Sequence, residues 1–285
     1  MRRDFHARVV VVTGAGSGIG AALARRFAAA GAHVVLLDRD EHAAAQVAGT
    51  IVDARGRVVA RRCDVTSEDD CRAAIGEVIR EFGGIDVLVN NAGITHRSCF
   101  AETDAAVFRR VLDVNVFGAL YCTQAALASI VERRGLVVVT SSIAGLAPLY
   151  ERSGYAASKH ALHGMFESLR AELSGTGVDV LIVCPGFTRT GIGAAALDAH
   201  GRAALHPRST IGRIADPDSV AAAVFTAAQR GRRLLVLTAV GKLTMLLHAL
   251  APALYEKLMT RSIRREIARA AAHEPLGRGT SPAGA

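Results

Sequence analysis

Short, continuous aliphatic runs recur along the first 240 positions, at residues 9–12, 33–37, 58–61, 87–89, 136–140, 178–183 and 234–237. They do not alternate with polar residues, which is how strands buried on both faces read. Between them, as at residues 19–30, 68–82, 105–132, 154–174 and 217–230, the apolar positions take helical spacing. Strand and helix in alternation predict βαβ units with right-handed crossovers, hence an α/β, doubly wound, seven-stranded parallel sheet covered on both faces. No Pro- or Ser-rich linker divides residues 5–240, so they are expected to form a single domain. From Lys242 the alternation stops. Residues 243–259 read as an apolar helix interrupted by His248 and Pro252, and 274–285 as a disordered tail, so 241–285 form a helical C-terminal extension.

Composition excludes several classes. With 51% apolar residues and a mean hydropathy of +0.28, disorder is not the main state. No uninterrupted apolar run reaches the ~18 to 20 residues of a membrane span. Aromatics make up 5% with no Trp, leaving Val, Leu, Ile and Ala to build the core. The net charge of +8 raises nucleic acid as a partner, which would need a concentrated basic stripe. Residues 242–285 hold seven Lys/Arg against three Glu, half of the excess, with little aromatic interleaving, so a solvated basic segment is the better reading and no nucleic acid is expected. Five scattered Cys without a CxxC pair indicate a reducing compartment and neither zinc nor a disulfide framework. The N-terminus lacks the cleavage region of a signal peptide, and the expected location is cytoplasmic.

Chemistry concentrates directly after the first run. Residues 13–21 read TGAGSGIGA, with GxGxxA at Gly16, Gly18 and Ala21, between a predicted strand and a predicted helix, and Asp38 follows 20 residues after Gly18. That context makes a dinucleotide fingerprint: glycines let backbone N–H groups approach a pyrophosphate, and the helix N-terminus favours its charge. Asp38 would accept bonds from ribose hydroxyls and repel a 2′-phosphate, favouring NAD over NADP. Arg39 blurs this, being either a solvated turn residue or a partner for that phosphate.

Further along stand CDV at 63–65, NNAG at 90–93, Asn115 in DVNVFG, TSSIAG at 140–145, YAASK at 155–159 and PGFTRT at 185–190. In this order and spacing, residues 5–240 resemble the shorter, cytosolic subgroup of the short-chain dehydrogenase/reductase family, whose fold is Rossmann-type. The resemblance implies cofactor contacts from Gly14, Ser17, Gly18, Ile19, Gly20, Asp38 and Arg39 in the first half. Asp64 and Val65 would lie near the adenine, and Asn91, Ala92 and Gly93 beside the adenosine ribose. Pro185, Gly186, Thr188 and Thr190 would surround the nicotinamide, with Thr190 on its carboxamide. A homodimer or homotetramer is implied as well.

Residue chemistry supports the same reaction. Tyr155 and Lys159 lie four apart in a helical pattern, on one face. A Tyr titrates near ~10, and acid-base work near neutrality asks for a shift of about 3 units, roughly 4 kcal/mol. An ammonium at ~4 Å in an effective dielectric of ~20 contributes about that much. Ser142, at a strand end, can orient a substrate oxygen, and Asn115, by resemblance, holds a water linking Lys159 to solvent. Tyr155 and Lys159 also contact the cofactor in this reading. The expected reaction is hydride transfer between the nicotinamide C4 and a carbinol or carbonyl carbon. The sequence offers no metal-ligand cluster.

The loops at 94–100, 146–153 and 187–213 would wall the substrate with Ile94, Leu146, Leu149, Tyr150, Phe187 and Ile192, favouring a small lipophilic secondary alcohol or ketone. The stretches 155–173 and 183–192 look most like members that handle steroids, retinoids or other lipophilic molecules. For the extension three readings stand: a helix that closes the pocket or packs on a partner subunit, an interfacial helix with a basic flank making peripheral membrane contact, or ordinary core packing. The alternatives to the alcohol/ketone oxidoreductase are a 3-oxoacyl-thioester reductase and a non-catalytic dinucleotide-sensing regulator. The regulator would have no reason to keep Asn115, Ser142, Tyr155 and Lys159 together.

Overall fold

The structure, a computed structural model, describes residues 2–52, 54–204 and 214–273, with side chains as far as 264. The strands are β1 (Val9–Thr13), β2 (His33–Asp38), β3 (Val58–Arg62), β4 (Val87–Asn90), β5 (Leu136–Thr140), β6 (Asp179–Cys184) and β7 (Leu234–Val236). All are parallel, in the order β3-β2-β1-β4-β5-β6-β7. The helices α1 (Gly18–Ala29), α2 (Glu41–Gly49), α3 (Glu68–Phe82), α4 (Ala105–Leu112), α5 (Gly118–Glu132), α6 (Ser153–Glu172) and α7 (Pro217–Gln229) cover the sheet. This is the doubly wound Rossmann-type sheet expected from the sequence.

Strand residues alternate between two cores. Val11, Val35, Leu88, Val137 and Ile182 face a layer with Cys71, Ile75, Ala126, Ile130 and Phe166 from α3, α5 and α6. Val10, Val12, Leu36, Val89, Val138 and Leu181 face Leu23 and Phe27 of α1 and Val224 and Phe225 of α7. Phe5, Phe27 and Phe225 close that second layer, with ring centroids 5.0 to 5.4 Å apart. The chain winds outward from β1 to β3, then returns to β4, so β1 and β4 diverge above a crevice at their C-terminal ends. Such a switch point is where open α/β sheets bind ligands.

Two local outcomes differ from the sequence pattern. Residues 105–132, expected as one helix, divide at a π turn, Asp113–Phe117, that separates α4 from α5. The same stretch is long and apolar enough to cross a membrane, although counting uninterrupted apolar runs does not reveal it. Here it is a core helix, with Val107, Val111, Cys122, Ala126 and Ile130 buried. Beyond β7, α8 (Ala239–Leu250) starts with Thr238 Oγ1 accepting the Gly241 N–H at 2.9 Å, and α9 (Pro252–His273) follows. Pro252 thus interrupts the apolar segment as expected, because its missing N–H and fixed φ suit the first position of a new helix, whereas His248 lies inside α8 and does not interrupt it. The expected tail at 274–285 and part of the loop at 187–213, residues 205–213, lie outside the described residues.

Candidate functional site

One cavity of ≈ 1360 Å³ opens above the C-terminal ends of β1, β4, β5 and β6. It exceeds the ~300 to 1,000 Å³ of a typical single-ligand pocket, and so has room for two reactants. Its lining includes Gly14, Ser17, Gly18, Ile19, Asp38, Arg39, Asp64, Val65, Asn91, Ala92 and Gly93, together with Pro185, Gly186, Thr188 and Thr190. The glycine turn is locked by its neighbours. Thr13 Oγ1 accepts the N–H groups of Asn91 and Ala92 at 3.0 and 3.1 Å, and Asn91 Nδ2 donates to the carbonyls of Thr13 and Gly14. Gly20 lies behind the cavity wall: a Cβ there would fall 2.2 Å from the Gly14 carbonyl oxygen, so only glycine lets α1 sit this close to the turn.

The cradle fits a dinucleotide. Ser17 stands at the N-cap of α1 without making a side-chain cap bond, which leaves the first-turn amides for an anion. Asp38 Oδ2 accepts the Gly16 N–H at 2.8 Å and Oδ1 the Asp40 N–H at 3.1 Å, fixing the carboxylate at the cavity edge with lone pairs to spare. The Asp64 carboxyl is held below its usual range by the Thr66 N–H and hydroxyl.

Ser142, Tyr155 and Lys159 line the same cavity as the glycine turn. Ser142 follows β5 and caps a short 3₁₀ turn, Ile143–Gly145, with its Oγ accepting the Ala144 N–H at 3.1 Å, so the hydroxyl proton is left to donate. Tyr155 and Lys159 occupy one face of α6, with Lys159 Nζ 5.7 Å from the Tyr155 ring centroid. Lys159 is 3% exposed, and burial brings its ammonium down to about 8. Its Nζ donates to the Thr140 carbonyl at 2.8 Å. Asn115, in the π turn, is 1% exposed and stands behind the wall. Its Oδ1 accepts the Ile94 N–H at 2.8 Å, while Nδ2 donates to the Ile94 carbonyl and to Ser158 Oγ. Between them lies Gly93, where a Cβ would meet Asn115 Oδ1 at 3.2 Å and Lys159 Nζ at 3.5 Å.

The family profile described as short chain dehydrogenase matches residues 8–200. The chain belongs to the short-chain dehydrogenase/reductase family. It is therefore an NAD(P)-dependent oxidoreductase. Among relatives of this dehydrogenase/reductase, Dehydrogenase/reductase SDR family member 7B of Xenopus laevis is 36% identical over 266 residues, covering 90% of this chain and 82% of its own. Cis-4-hydroxycyclohexanecarboxylate dehydrogenase of Sinomonas cyclohexanicum is 39% identical over 226 residues, covering 79% and 90%. A short chain dehydrogenase/reductase from Burkholderia phymatum, solved in complex with NAD, aligns with a TM-score of 0.80 at 29% identity over 88% of this chain and 96% of that one. An alcohol dehydrogenase from Thermococcus sibiricus, complexed with 5-hydroxy-NADP, gives 0.67 at 26% identity, covering 76% and 88%.

The far end of this dehydrogenase/reductase cavity departs from the sequence reading. Of the expected apolar wall, Ile94, Leu149, Phe187 and Ile192 line it, whereas Leu146 packs on the core and Tyr150 is not part of the lining. The extension supplies the missing wall: Leu243 and Leu247 of α8 with Tyr255, Leu258 and Met259 of α9. Tyr255 pins α9 in place by donating to the Pro148 carbonyl at 2.9 Å. Arg152, 9% exposed, also lines the cavity and donates to Thr95 Oγ1 at 2.9 Å. Thr13 and Ser158 lie inside TGAGSGIG and YAASK, and Arg152 three residues before the latter, but the sequence pattern assigns them no role, because their contacts run to residues 57 to 79 positions away for Thr13 and Arg152 and 43 away for Ser158.

Proposed function

We propose that the protein interconverts a lipophilic secondary alcohol and its ketone with NAD as the preferred cofactor. What supports this reading is that Ser142, Tyr155 and Lys159 line the same cavity as the glycine turn and Asp38. Gly14, Ser17, Gly18 and Ile19 would hold the pyrophosphate, with Gly20 letting α1 pack close behind them, Asp38 the adenosine ribose, and Pro185, Gly186, Thr188 and Thr190 the nicotinamide side. Arg39 and Asp64 with Val65 border the adenine end, and Asn91, Ala92 and Gly93 the ribose. The dinucleotide, when bound, supplies a hydride acceptor or donor at its nicotinamide C4. Everything else comes from the chain. In the oxidation direction the Ser142 hydroxyl donates to the substrate oxygen and fixes it, and Tyr155 as phenolate takes the hydroxyl proton. The Lys159 ammonium stabilises that phenolate and, by reciprocity, the phenolate raises Lys159 from its depressed value. Asn115 holds the Ile94 backbone and, with Gly93, keeps open the gap through which a water would join Lys159. In reduction Tyr155 returns the proton.

The substrate class rests on the apolar side chains of Ile94, Leu149, Phe187, Leu243, Leu247 and Met259 in the cavity lining. A panel of lipophilic and polar alcohols, assayed with NAD and NADP separately, tests both parts: the expected outcome is higher kcat/KM for lipophilic alcohols and for NAD. Tyr155→Phe should lower kcat by ~10²- to 10⁴-fold in steady-state assays. Wild-type turnover by that variant would refute the mechanism.

A further inference from the structure

The outward face of α8 and α9 carries an aliphatic stripe. Among the described residues, six of the eleven exposed large hydrophobic side chains fall between 240 and 258: Val240, Leu243, Leu246, Leu250, Leu254 and Leu258, each 46% to 77% exposed. Leu243, Leu246 and Leu250 recur at helical spacing on the exposed side of α8, and Leu254 and Leu258 continue the stripe on α9. A lone exposed leucine is ordinary, but a contiguous run marks a contact surface. Charge narrows its occupant. Residues 239–264 carry Lys242, Lys257, Arg261 and Arg264, all exposed, against the single acid Glu256. The stripe also reaches the cavity, because Val240, Leu243 and Leu258 belong to the cavity lining as well.

A second copy of this chain seated on the face would set these cations against themselves with one carboxylate per copy to offset them. An anionic bilayer surface satisfies both halves: its acyl boundary takes the leucines and its headgroups take the cations. We propose that the α8–α9 face docks on an anionic phospholipid surface, with the cavity mouth turned toward the bilayer. The docking stands on the stripe and its charge. The consequence for catalysis, that a lipophilic substrate passes from the bilayer into the cavity without crossing bulk water, rests on the substrate reading above.

The test is sedimentation of the full chain with large vesicles of phosphatidylcholine, alone or with about a quarter phosphatidylglycerol. The chain should sediment with the anionic vesicles at low salt, bind the neutral ones much more weakly, and come off at high salt. Leu246 and Leu250 are not part of the cavity lining, so Leu246→Glu/Leu250→Glu should lower partitioning at least tenfold while turnover of a small water-soluble alcohol persists. Arg261→Ala and Arg264→Ala, which leave the apolar face intact, should each cost about fivefold. Absence of binding at low salt, equal binding to both vesicles, or a Leu246→Glu/Leu250→Glu variant that changes only the oligomer mass in light scattering would overturn the proposal. Because vesicle binding is read without turnover, its failure is separable from failure of the oxidoreductase mechanism.

Discussion

Lys159 shows how much a single residue's setting matters. A buried ammonium held at about 8 is costly where it stands, and the groups around it offer a carbonyl, from Thr140, and the face of Tyr155. That cost favours an anion beside it, which is what a Tyr155 phenolate would supply. Gly93 matters for the opposite reason, by what it lacks. A methyl there would press on Asn115 Oδ1 at 3.2 Å, which must give by a few tenths of an ångström, and would stand in van der Waals contact with Lys159 Nζ at 3.5 Å. Gly93→Ala should therefore lower kcat by roughly tenfold or more, about 1.4 kcal/mol in the barrier, with a smaller effect on KM. Steady-state kinetics across pH check it, since a disturbed proton path alters the pH profile and a folding defect does not.

At the scale of elements, the N-terminus of α6 is held by a neutral histidine. His96 Nε2 accepts the Gly154 N–H at 2.9 Å, and burial, then the nearby Arg152 charge, pushes its imidazole down to about 4. Since the folded value lies below the unfolded one, the unfolded chain binds more protons, and stability is present above about 6.5 and lost as pH falls through 4. The contribution is of order 3 kcal/mol. Urea denaturation between pH 7 and pH 4 should show this loss, and His96→Gln should remove most of the pH dependence. The π turn acts on a neighbouring element. It adds a residue to the helical run and sets Asn115 where it can clamp Ile94 and reach Ser158 on α6. A helix-period pattern in the sequence carries no mark of such a turn, so 105–132 reads as one helix.

Over the whole molecule, the cavity is assembled from both ends of the chain. The glycine turn comes from residues 14–19, and the far wall from α8 and α9, more than 200 positions later. Tyr255 is the fastening, with its hydroxyl on the Pro148 carbonyl and its ring 5.5 Å from that of His248. Tyr255→Phe removes one partly buried hydrogen bond, so it should cost about 1 kcal/mol in stability and raise KM for bulky alcohols several-fold more than it lowers kcat. Thermal denaturation and a comparison of bulky with small alcohols check the two halves. If KM were unchanged for every substrate, α9 would be a cover with no part in binding.

The sequence by itself determined the sheet. Continuous Val- and Leu-rich runs can be buried only on both faces, and their alternation with helical periods leaves one handed, parallel arrangement. It also marked the chemical groups, because TGAGSGIG, NNAG and YAASK are local patterns whose meaning lies in spacing. Tertiary structure decided what depends on partners distant in the chain: the π turn that aims Asn115, the turning of Leu146 into the core, and the placement of the extension as a wall. An apolar helix at 243–259 has the same pattern whether it packs on a core, a pocket or a lipid surface. Which of its leucines meet the cavity and which meet solvent follows from the angle at Pro252 and the Tyr255 contact, and neither is written in a periodicity.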